Sequence, residues 1–188
     1  MKSKELPDAD YLKECFELLE NGSLRWKVRP QNHFPKKNYT YKRWNKLYAG
    51  NIADTDMQMG YYSVCVNGIR YKSHRVVFAI TNGGIDSLLQ IDHINGNSKD
   101  NRPSNLRLAT RSQNAVNFRG VRKDNKHGAR GVSWNISNKK WESYFNLNGI
   151  RKHIGLFKIK QDAINASAQK RKELFGEFWE SQNGIPSE

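Results

Sequence analysis

Cysteine, acidic residues and long apolar runs are all scarce in this chain. Its two cysteines, Cys15 and Cys65, lie far apart and outside any CxxC pair, which argues against a disulfide framework and a cysteine-built zinc site. No apolar run reaches the about 18 residues of a membrane-spanning helix, and the opening MKSKELPDAD lacks the apolar segment of a signal peptide. We therefore expect a soluble cytoplasmic protein that does not bind a membrane.

Acidic residues are outnumbered by basic ones, and the excess is unevenly placed. The chain has 32 Lys and Arg against 18 Asp and Glu, a formal net charge of +14. Residues 102–172 hold 17 basic and three acidic residues, and residues 25–46 hold eight basic residues and no acid. Such clusters neutralise phosphates and release counterions, so a nucleic acid is the expected partner. A merely soluble basic surface is the alternative, whereas an anionic membrane is disfavoured because no basic amphipathic helix is visible.

The N-terminal half mixes helix and strand signals. Apolar residues at helical spacing predict a short amphipathic helix over residues 9–20. Residues 28–46 are basic, contain prolines and show no clear periodicity, so we expect a long loop that orders on its polyanionic partner. Asn67-Gly68 supplies the positive φ angles of a two-residue turn, which predicts a hairpin of residues 61–66 and 69–73.

A second group of signals surrounds a polar segment, residues 91–117. The stretch HRVVFAIT predicts a short helix, and LLQIDHI predicts a strand. The loop NGNSKDNRPSN follows, and Thr110 is the expected N-cap of a helix that runs to Phe118. Residues 118–129 are polar, basic and glycine-containing, which is typical of a linker.

The segment after this linker predicts a sheet backed by one helix. Turn signals separate three strands, over residues 131–137, 141–147 and 150–157. Residues 161–175 have the pattern of a helix that can pack on the sheet. We therefore expect a three-stranded antiparallel sheet with one helix behind it.

A carboxylate, an imidazole and a side-chain amide occur in this segment at a spacing that suits the hydrolysis of a phosphodiester bond. Asp92 and His93 are adjacent near the end of a predicted strand, and Asn114 lies on the following helix. A carboxylate and a side-chain carbonyl are hard oxygen ligands that suit Mg²⁺, with Mn²⁺ as a substitute. A neutral imidazole can take a proton from an attacking water at neutral pH. An Asp-His pair alone would equally fit a polar turn, and only the spacing to the later asparagines favours the chemical interpretation.

This segment resembles the HNH, or His-Me finger, nuclease motif in the form found in phage and intron-borne homing endonucleases. The resemblance covers IDHINGN and the later N..NL and QN..N elements. It implies that His93 activates water, that Asp92 and Asn114 hold one divalent metal, and that Asn105 fixes the loop. The last motif position is Asn114 instead of histidine, a variation within the family that leaves the metal role unchanged. Three further asparagines are expected to shape the loop rather than bind metal: Asn95, Asn97 and Asn101.

The upstream stretch YYSVCVNGIRYKSHRVVFAITNGG also resembles what precedes the motif in these endonucleases. It places His74 and Arg75 at the start of a helix near the predicted site. We expect either residue to contact the scissile or an adjacent phosphate, and the alternative for His74 is a structural hydrogen-bonding role.

Residues 130–179 resemble the DNA-binding domain of plant ethylene-response and Apetala-type transcription factors, which also occurs in phage HNH endonucleases. The match covers the glycine after Arg130, KKW, IGLF, the alanine-bearing helix and FGEF. It implies that the sheet lies in the DNA major groove with the helix behind it. The implied base contacts are Arg130, Ser133, Asn135, Tyr144, Asn146, Arg151 and His153. Three of these stand where the plant proteins carry arginine, so the target sequence does not transfer: Ser133, Asn135 and Asn146.

Alternation along the second strand separates two faces of the sheet. One carries Trp141, Ser143, Phe145 and Leu147. The other, expected to meet DNA, carries Glu142, Tyr144, Asn146 and Asn148. Lys139, Lys140 and Lys152 are expected to contact phosphate. Trp134 is a candidate DNA contact, with core packing as its alternative. For Trp141 we favour core packing. A solvated helix face is the plain interpretation of Lys170, Arg171 and Lys172.

These expectations combine into an α+β protein with two domains. Residues 1–117 are predicted to form a ββα-metal (His-Me finger) nuclease domain with an N-terminal extension, residues 118–129 a linker, and residues 130–180 the sheet packed on one helix. The expected function is site-specific, metal-dependent hydrolysis of double-stranded DNA by a homing endonuclease. We expect a monomer or weak dimer in the cytoplasm, which is the host cytoplasm if a phage encodes the chain.

Three alternatives stay open. One is a sequence-specific DNA-binding regulator with an inactive nuclease core. A second is an RNA-directed or structural nucleic-acid binder. The third is a restriction or defence nuclease, which shares the chemistry and differs in its genomic neighbourhood.

Overall fold

The protein folds into two units of mixed α/β structure. The computed structural model describes residues 4–34, 38–56, 60–86, 88–116 and 125–180. One unit comprises Met1–His93 and Asn97–Leu108, and the other comprises Ile94–Gly96 and Ala109–Glu188. The division falls upstream of the predicted linker. Because residues 118–124 lie outside the described residues, the linker stays a prediction.

Within its described residues, the first unit holds three α-helices and three small sheets. The helices are α1 (Ala9–Cys15), α2 (Asn38–Tyr48) and α3 (Ser73–Asn82). The strands are β1 (Phe16–Leu18), β2 (Leu24–Trp26), β3 (Thr55–Asp56), β4 (Tyr62–Val66), β5 (Ile69–Lys72), β6 (Gln90–His93) and β7 (Leu106–Ala109), which runs one residue past the division. They form the sheets β1-β2, β3-β4-β5 and β6-β7.

The β4–β5 hairpin and α3 form the centre of this unit. Asn67 and Gly68 have φ angles of 51° and 77° and make the tight turn that the sequence predicts. Strand β4 buries Ser63, Val64 and Val66, and α3 buries Val76 and Val77 completely. The α3 helix ends at Gly83, which adopts the left-handed conformation with φ of 78°. Helix α3 thus packs against β4 and β5.

The first helix is shorter than its periodicity predicts. It ends at Cys15, and Phe16 is extended and pairs with Trp26 across β1 and β2. The two rings pack with centroids 4.4 Å apart. The prediction of a helix over residues 9–20 is therefore wrong beyond Cys15, because strand pairing with a distant segment buries the same apolar residues.

The predicted loop over residues 28–46 is also wrong. It contains a short 3-10 turn, Gln31–His33, and most of α2. Trp44 anchors the helix by packing against Trp26, Phe34 and Tyr48 at centroid distances of 4.9, 5.6 and 5.1 Å. Asn45 adds hydrogen bonds to the backbone N–H and carbonyl of Arg29. The aromatic spacing at positions 41, 44 and 48 was the overlooked helical signal.

In the described part of the second unit there are three helices and one three-stranded sheet. Its helices are α4 (Arg111–Val116), α5 (Lys160–Phe175) and α6 (Glu177–Glu180), and its strands are β8 (Val132–Asn135), β9 (Lys140–Leu147) and β10 (Ile150–Phe157). The sheet is antiparallel with the order β10-β9-β8. Helix α5 packs on β9, where Ser143 Oγ donates to the Ala163 carbonyl at 2.8 Å.

Gly131, just before β8, and Arg171, on α5, explain how closely α5 approaches the sheet. Gly131 has φ of 71°, and a Cβ there would overlap the Tyr144 carbonyl and the Ser167 hydroxyl. Arg171 is only 9% exposed and donates to the Arg130 carbonyl. Arg171 therefore does not belong to a solvated helix face, as the sequence suggested, because it ties α5 to the segment before β8. No helix within the described ranges is long and apolar enough to cross a membrane.

Candidate functional site

His93 ends β6 and is surrounded by ring side chains of the first unit. Its own side chain is nearly buried, with the residue 7% exposed. The ring of His74, from the start of α3, lies perpendicular to it at 5.0 Å, and the ring of Tyr61 lies at 6.3 Å. The packing of α3 on the sheet thus brings His74 and His93 together, as the sequence predicted only in outline.

A hydrogen bond defines the tautomer of His93. Its Nε2 lies 3.1 Å from Oδ1 of Asn101, in the loop between β6 and β7. Because an amide oxygen accepts hydrogen bonds only, Nε2 carries the proton and donates it. The Nδ1 lone pair is then the part of the ring that can accept a proton.

Burial keeps both imidazoles neutral at neutral pH. Burial lowers the pKa of His93, against the opposing effects of the Asn101 hydrogen bond and the Asp92 charge. For His74, burial, repulsion from His93 and the charges of Lys72 and Arg75 lower the pKa to about 3. A neutral imidazole with a defined tautomer is the form that can act as a general base.

Asp92 is a buried carboxylate next to a half-buried arginine. The residue is 4% exposed, and its Oδ2 accepts a hydrogen bond of 2.9 Å from Nε of Arg107 on β7. Arg107 is a site neighbour that the sequence did not indicate, since its partner is 15 residues away on the paired strand. This pair holds the Asp92 carboxylate in a fixed orientation beside His93.

The loop between β6 and β7 is held by its own asparagines and by a neighbouring turn. Asn105 is buried, and its Nδ2 donates to the Asp100 carbonyl at 2.7 Å. Gly22 lies against the loop with φ of 82°, where a Cβ would overlap the backbone of Asn101 and Arg102. The position of Asn101, and with it the orientation of His93, therefore depends on a turn far away in the sequence.

Asn114 lies on α4, in the second unit. The helix begins with a reciprocal cap: Thr110 Oγ1 accepts from the Gln113 N–H at 3.3 Å, and Gln113 Oε1 accepts from the Thr110 N–H at 2.7 Å. Thr110 is thus the N-cap that the sequence predicted. Asn114 is partly buried one turn into this helix.

The donor types of Asp92 and Asn114 fit a hard divalent cation. A carboxylate and an amide oxygen are the ligands that Mg²⁺ takes together with waters and phosphate oxygens. Within the described ranges, no group of three or more His, Cys, Asp or Glu side chains is placed to hold a metal.

Comparison with known proteins identifies this segment. The sequence model described as HNH endonuclease matches residues 71–116, which span His74, His93, Asn105 and Asn114. The Uncharacterized HNH endonuclease L560 of Acanthamoeba polyphaga mimivirus is 34% identical over 118 residues, 62% of this chain and 60% of that protein. Protein 3.8 of Escherichia phage T7 is 30% identical over 107 residues, 57% of this chain and 87% of that protein. The chain belongs to the HNH endonuclease family.

The HNH segment and its relatives cover part of the chain. The matched region spans 60% of the length of the mimivirus protein. No solved structure matches the chain at a significant level. HNH nucleases use a divalent metal ion, which agrees with the oxygen donors of Asp92 and Asn114.

A second cluster of predicted residues lies on one face of the β8–β10 sheet. The Arg151 guanidinium stacks on the Tyr144 ring at 3.4 Å from its centroid and donates to Ser133 Oγ at 3.2 Å. Glu142 lies 3.3 Å from Arg151 and 3.2 Å from His153. Five side chains thus hold one another in place on the face opposite α5.

The other residues of this segment that the sequence predicts to contact DNA do not all lie on the face of Tyr144. Trp134 follows buried Val132 on the α5 side of β8, and its ring packs on Trp141 at 5.2 Å. Asn135 caps the β8–β9 turn by accepting from the Asn138 N–H. Arg130 donates to the Ala115 carbonyl at 2.7 Å instead of pointing from the sheet. Lys140 and Asn146 share the face of Tyr144 by strand register.

Proposed function

We propose that the chain is a DNA endonuclease that hydrolyses phosphodiester bonds with one divalent metal ion and with His93 as the general base. The observation that carries this proposal is the 3.1 Å hydrogen bond from His93 Nε2 to Asn101 within the HNH segment. It supports a base of defined tautomer, buried and neutral, beside the carboxylate of Asp92.

His93 and its neighbours prepare the attacking water. Nδ1 takes the proton of the water as the oxygen attacks phosphorus, and Nε2 stays bonded to Asn101, which stabilises the imidazolium that forms. The ring cannot rotate freely, because His74 and Tyr61 pack against it. Arg75, at the start of α3, is proposed to bind the scissile or an adjacent phosphate.

Asp92 and Asn114 are the proposed metal ligands, with Mg²⁺ as the ion and Mn²⁺ as a substitute. When bound, the ion supplies positive charge that stabilises the phosphorane and the leaving 3′ oxygen. Arg107 orients the Asp92 carboxylate by its hydrogen bond to Oδ2. We propose a ββα-metal arrangement of β6, β7 and α4 for this centre.

The second unit is proposed to bind double-stranded DNA through the face of Tyr144 and Arg151, in the manner of an Apetala-type domain. Arg151 is already oriented by Tyr144, Ser133 and Glu142, so it loses little conformational freedom on binding a base edge or a phosphate. In the first unit, α2 carries no acid and exposes Lys42, Arg43 and Lys46. Its charge supports additional phosphate contacts.

Plasmid nicking with Mg²⁺ tests the catalytic part of the proposal. We expect His93→Ala to lower the nicking rate by about a hundredfold or more, because the general base is lost. His127→Gln removes an imidazole outside the HNH segment and should leave the rate unchanged. Equal nicking by wild type and His93→Ala would remove His93 from the mechanism.

Two further measurements separate the alternatives. A protein that binds duplex DNA tightly but never nicks it would be a regulator with an inactive core, and preference for RNA in competition would indicate an RNA binder. The proposed homing role predicts cleavage on the DNA that surrounds the protein's own reading frame. Cleavage mapped elsewhere, near genes of foreign DNA, would instead favour a defence role.

A further inference from the structure

Lys72 occupies a distinctive place beside the nuclease centre. It ends β5 and precedes His74 by two residues at the start of α3. Its Nζ lies 3.9 Å from the centroid of the Tyr61 ring. The same ring lies 5.5 Å from His74 and 6.3 Å from His93. One tyrosine therefore connects the ammonium to both imidazoles.

The electrostatics place the Lys72 charge within reach of the reaction. Burial is the main cause of the lowered pKa of His74 and of His93, and the Lys72 charge lowers both further. Arg75 follows Lys72 by three residues, in the first turn of α3, and burial together with repulsion from Arg75 lowers the pKa of Lys72. Two cations thus lie close together next to the candidate base.

Neither of these cations forms an ion pair with a carboxylate in the part of the chain that the structure describes. Lys72 is exposed and Arg75 is half-buried, so an anion from solution can reach both. Neighbouring cations repel each other, and a bound anion would relieve this repulsion. The substrate of the proposed reaction carries such an anion at the reacting group.

Lys99 provides an internal comparison. Its Nζ lies 5.4 Å from the centroid of the Tyr62 ring, the neighbour of Tyr61, and is paired with Asp56 at 2.5 Å. Both lysines therefore lie over a tyrosine ring, and among the described residues only Lys99 is paired with a carboxylate. The contrast indicates that Lys72 receives its counter-charge from a ligand.

We propose that Lys72 binds the phosphate that is cleaved, with Arg75 beside it and with the Tyr61 ring as its positioning residue. This assignment rests on the proposed function and adds a phosphate ligand to it. The ammonium donates to a non-bridging phosphate oxygen, where negative charge builds up as the water attacks. Tyr61 restricts the lysine to one direction through the cation–π contact.

The first test compares plasmid nicking by Lys72→Met, Lys72→Arg and the matched control Lys99→Met. We expect Lys72→Met to lower kcat/KM by about a hundredfold, as for the loss of one oxyanion donor. Lys72→Arg should recover part of the loss, because it keeps the charge, and Lys99→Met should nick like wild type. Melting temperatures check the fold, and Lys72→Gln replaces Lys72→Met if the latter does not fold.

The positioning role of Tyr61 has its own readout. Tyr61→Phe keeps the ring and Tyr61→Leu removes it. We expect a larger loss of kcat for Tyr61→Leu than for Tyr61→Phe, with less effect on KM, because a misdirected ammonium loses transition-state contacts first. Equal rates for these two variants would remove the ring from the proposal.

A second test does not require activity. In the His93→Ala background, the logarithm of duplex affinity is measured against the logarithm of salt concentration. Loss of one phosphate contact in Lys72→Met should reduce the slope by about 0.9, and Lys99→Met should not. If Lys72→Met matches Lys99→Met in both tests, the proposal is overturned. If wild type never nicks but the slope changes, phosphate binding stands and the nuclease function fails.

Discussion

His93 and Asn101 are joined by a 3.1 Å hydrogen bond from Nε2 to Oδ1, although eight residues separate them along the loop. This contact decides which ring nitrogen carries the proton. In the proposed mechanism, the action of His93 therefore depends on how the loop between β6 and β7 is held.

Asn101→Ala should slow nicking by about tenfold or more, because His93 loses its oriented tautomer. Asn101→Asp keeps an acceptor and adds a charge, which raises the pKa of His93. The acidic limb of the rate profile should therefore move to higher pH in Asn101→Asp. The measurement is the pH dependence of plasmid nicking for the three proteins, and an unshifted profile in Asn101→Asp would contradict the assignment.

His74 should make the protein less stable in acid. Its pKa falls from 6.5 to about 3 in the fold, so the unfolded chain binds the proton more readily across that window. Stability from this group is complete above pH 6.5 and is lost as the pH falls towards 3, by up to about 1.4 kcal/mol per pH unit. Urea unfolding of His74→Gln should show a shallower pH dependence. The exposed His153→Gln is the control, and equal slopes for both variants would refute the prediction.

Arg107→Leu should destabilise the first unit by about 3 kcal/mol, because the buried Asp92 carboxylate loses its cationic partner. Arg107→Lys should recover part of this. The matched control is Arg25→Leu, whose pair with Glu17 is exposed and contributes about 1 kcal/mol or less. Chemical denaturation measures the free energy of unfolding of both variants. Equal losses would show that the Asp92–Arg107 pair stabilises the fold no more than an exposed ion pair.

Gly22→Ala and Gly50→Ala form a matched comparison. Their φ angles are 82° and 84°, but only Gly22 lies against another segment, the backbone of Asn101 and Arg102. Both substitutions should cost about 1 kcal/mol for the left-handed conformation. Gly22→Ala should cost more and should also slow nicking, because it displaces the partner of His93. Equal unfolding free energies would mean that the overlap is relieved easily.

Arg151→Met should weaken binding to the mapped DNA target by about tenfold, a loss of about 1–2 kcal/mol. Arg151→Lys should recover little, because an ammonium does not reproduce the planar stack on Tyr144 or the bond to Ser133. Lys170→Met is the control, since Lys170 is exposed on α5 and paired with Glu173. Fluorescence anisotropy measures these affinities, and wild-type binding by Arg151→Met would exclude this face as the DNA contact.

Local chemistry made several features predictable. The positive φ angles of Asn67 and Gly68 and the cap at Thr110 each depend on neighbouring residues, and the structure contains both. The failures have one cause in common. Phe16 fits a helical pattern but pairs with Trp26 in a strand, and Trp44 stabilises α2 by packing on Trp26, outside the helix. In both cases a tertiary contact determines the local structure.

The sequence by itself determined the basic charge, the turn and cap positions, and the order of Asp92, His93, Asn105 and Asn114 within the segment that the HNH endonuclease model matches. Only the tertiary structure decided which partners these groups have: Asn101 for His93, Arg107 for Asp92, and the Tyr61 ring for Lys72. Such contacts join residues from different elements, and their distances depend on packing and strand pairing. A local pattern of residues does not predict either of these.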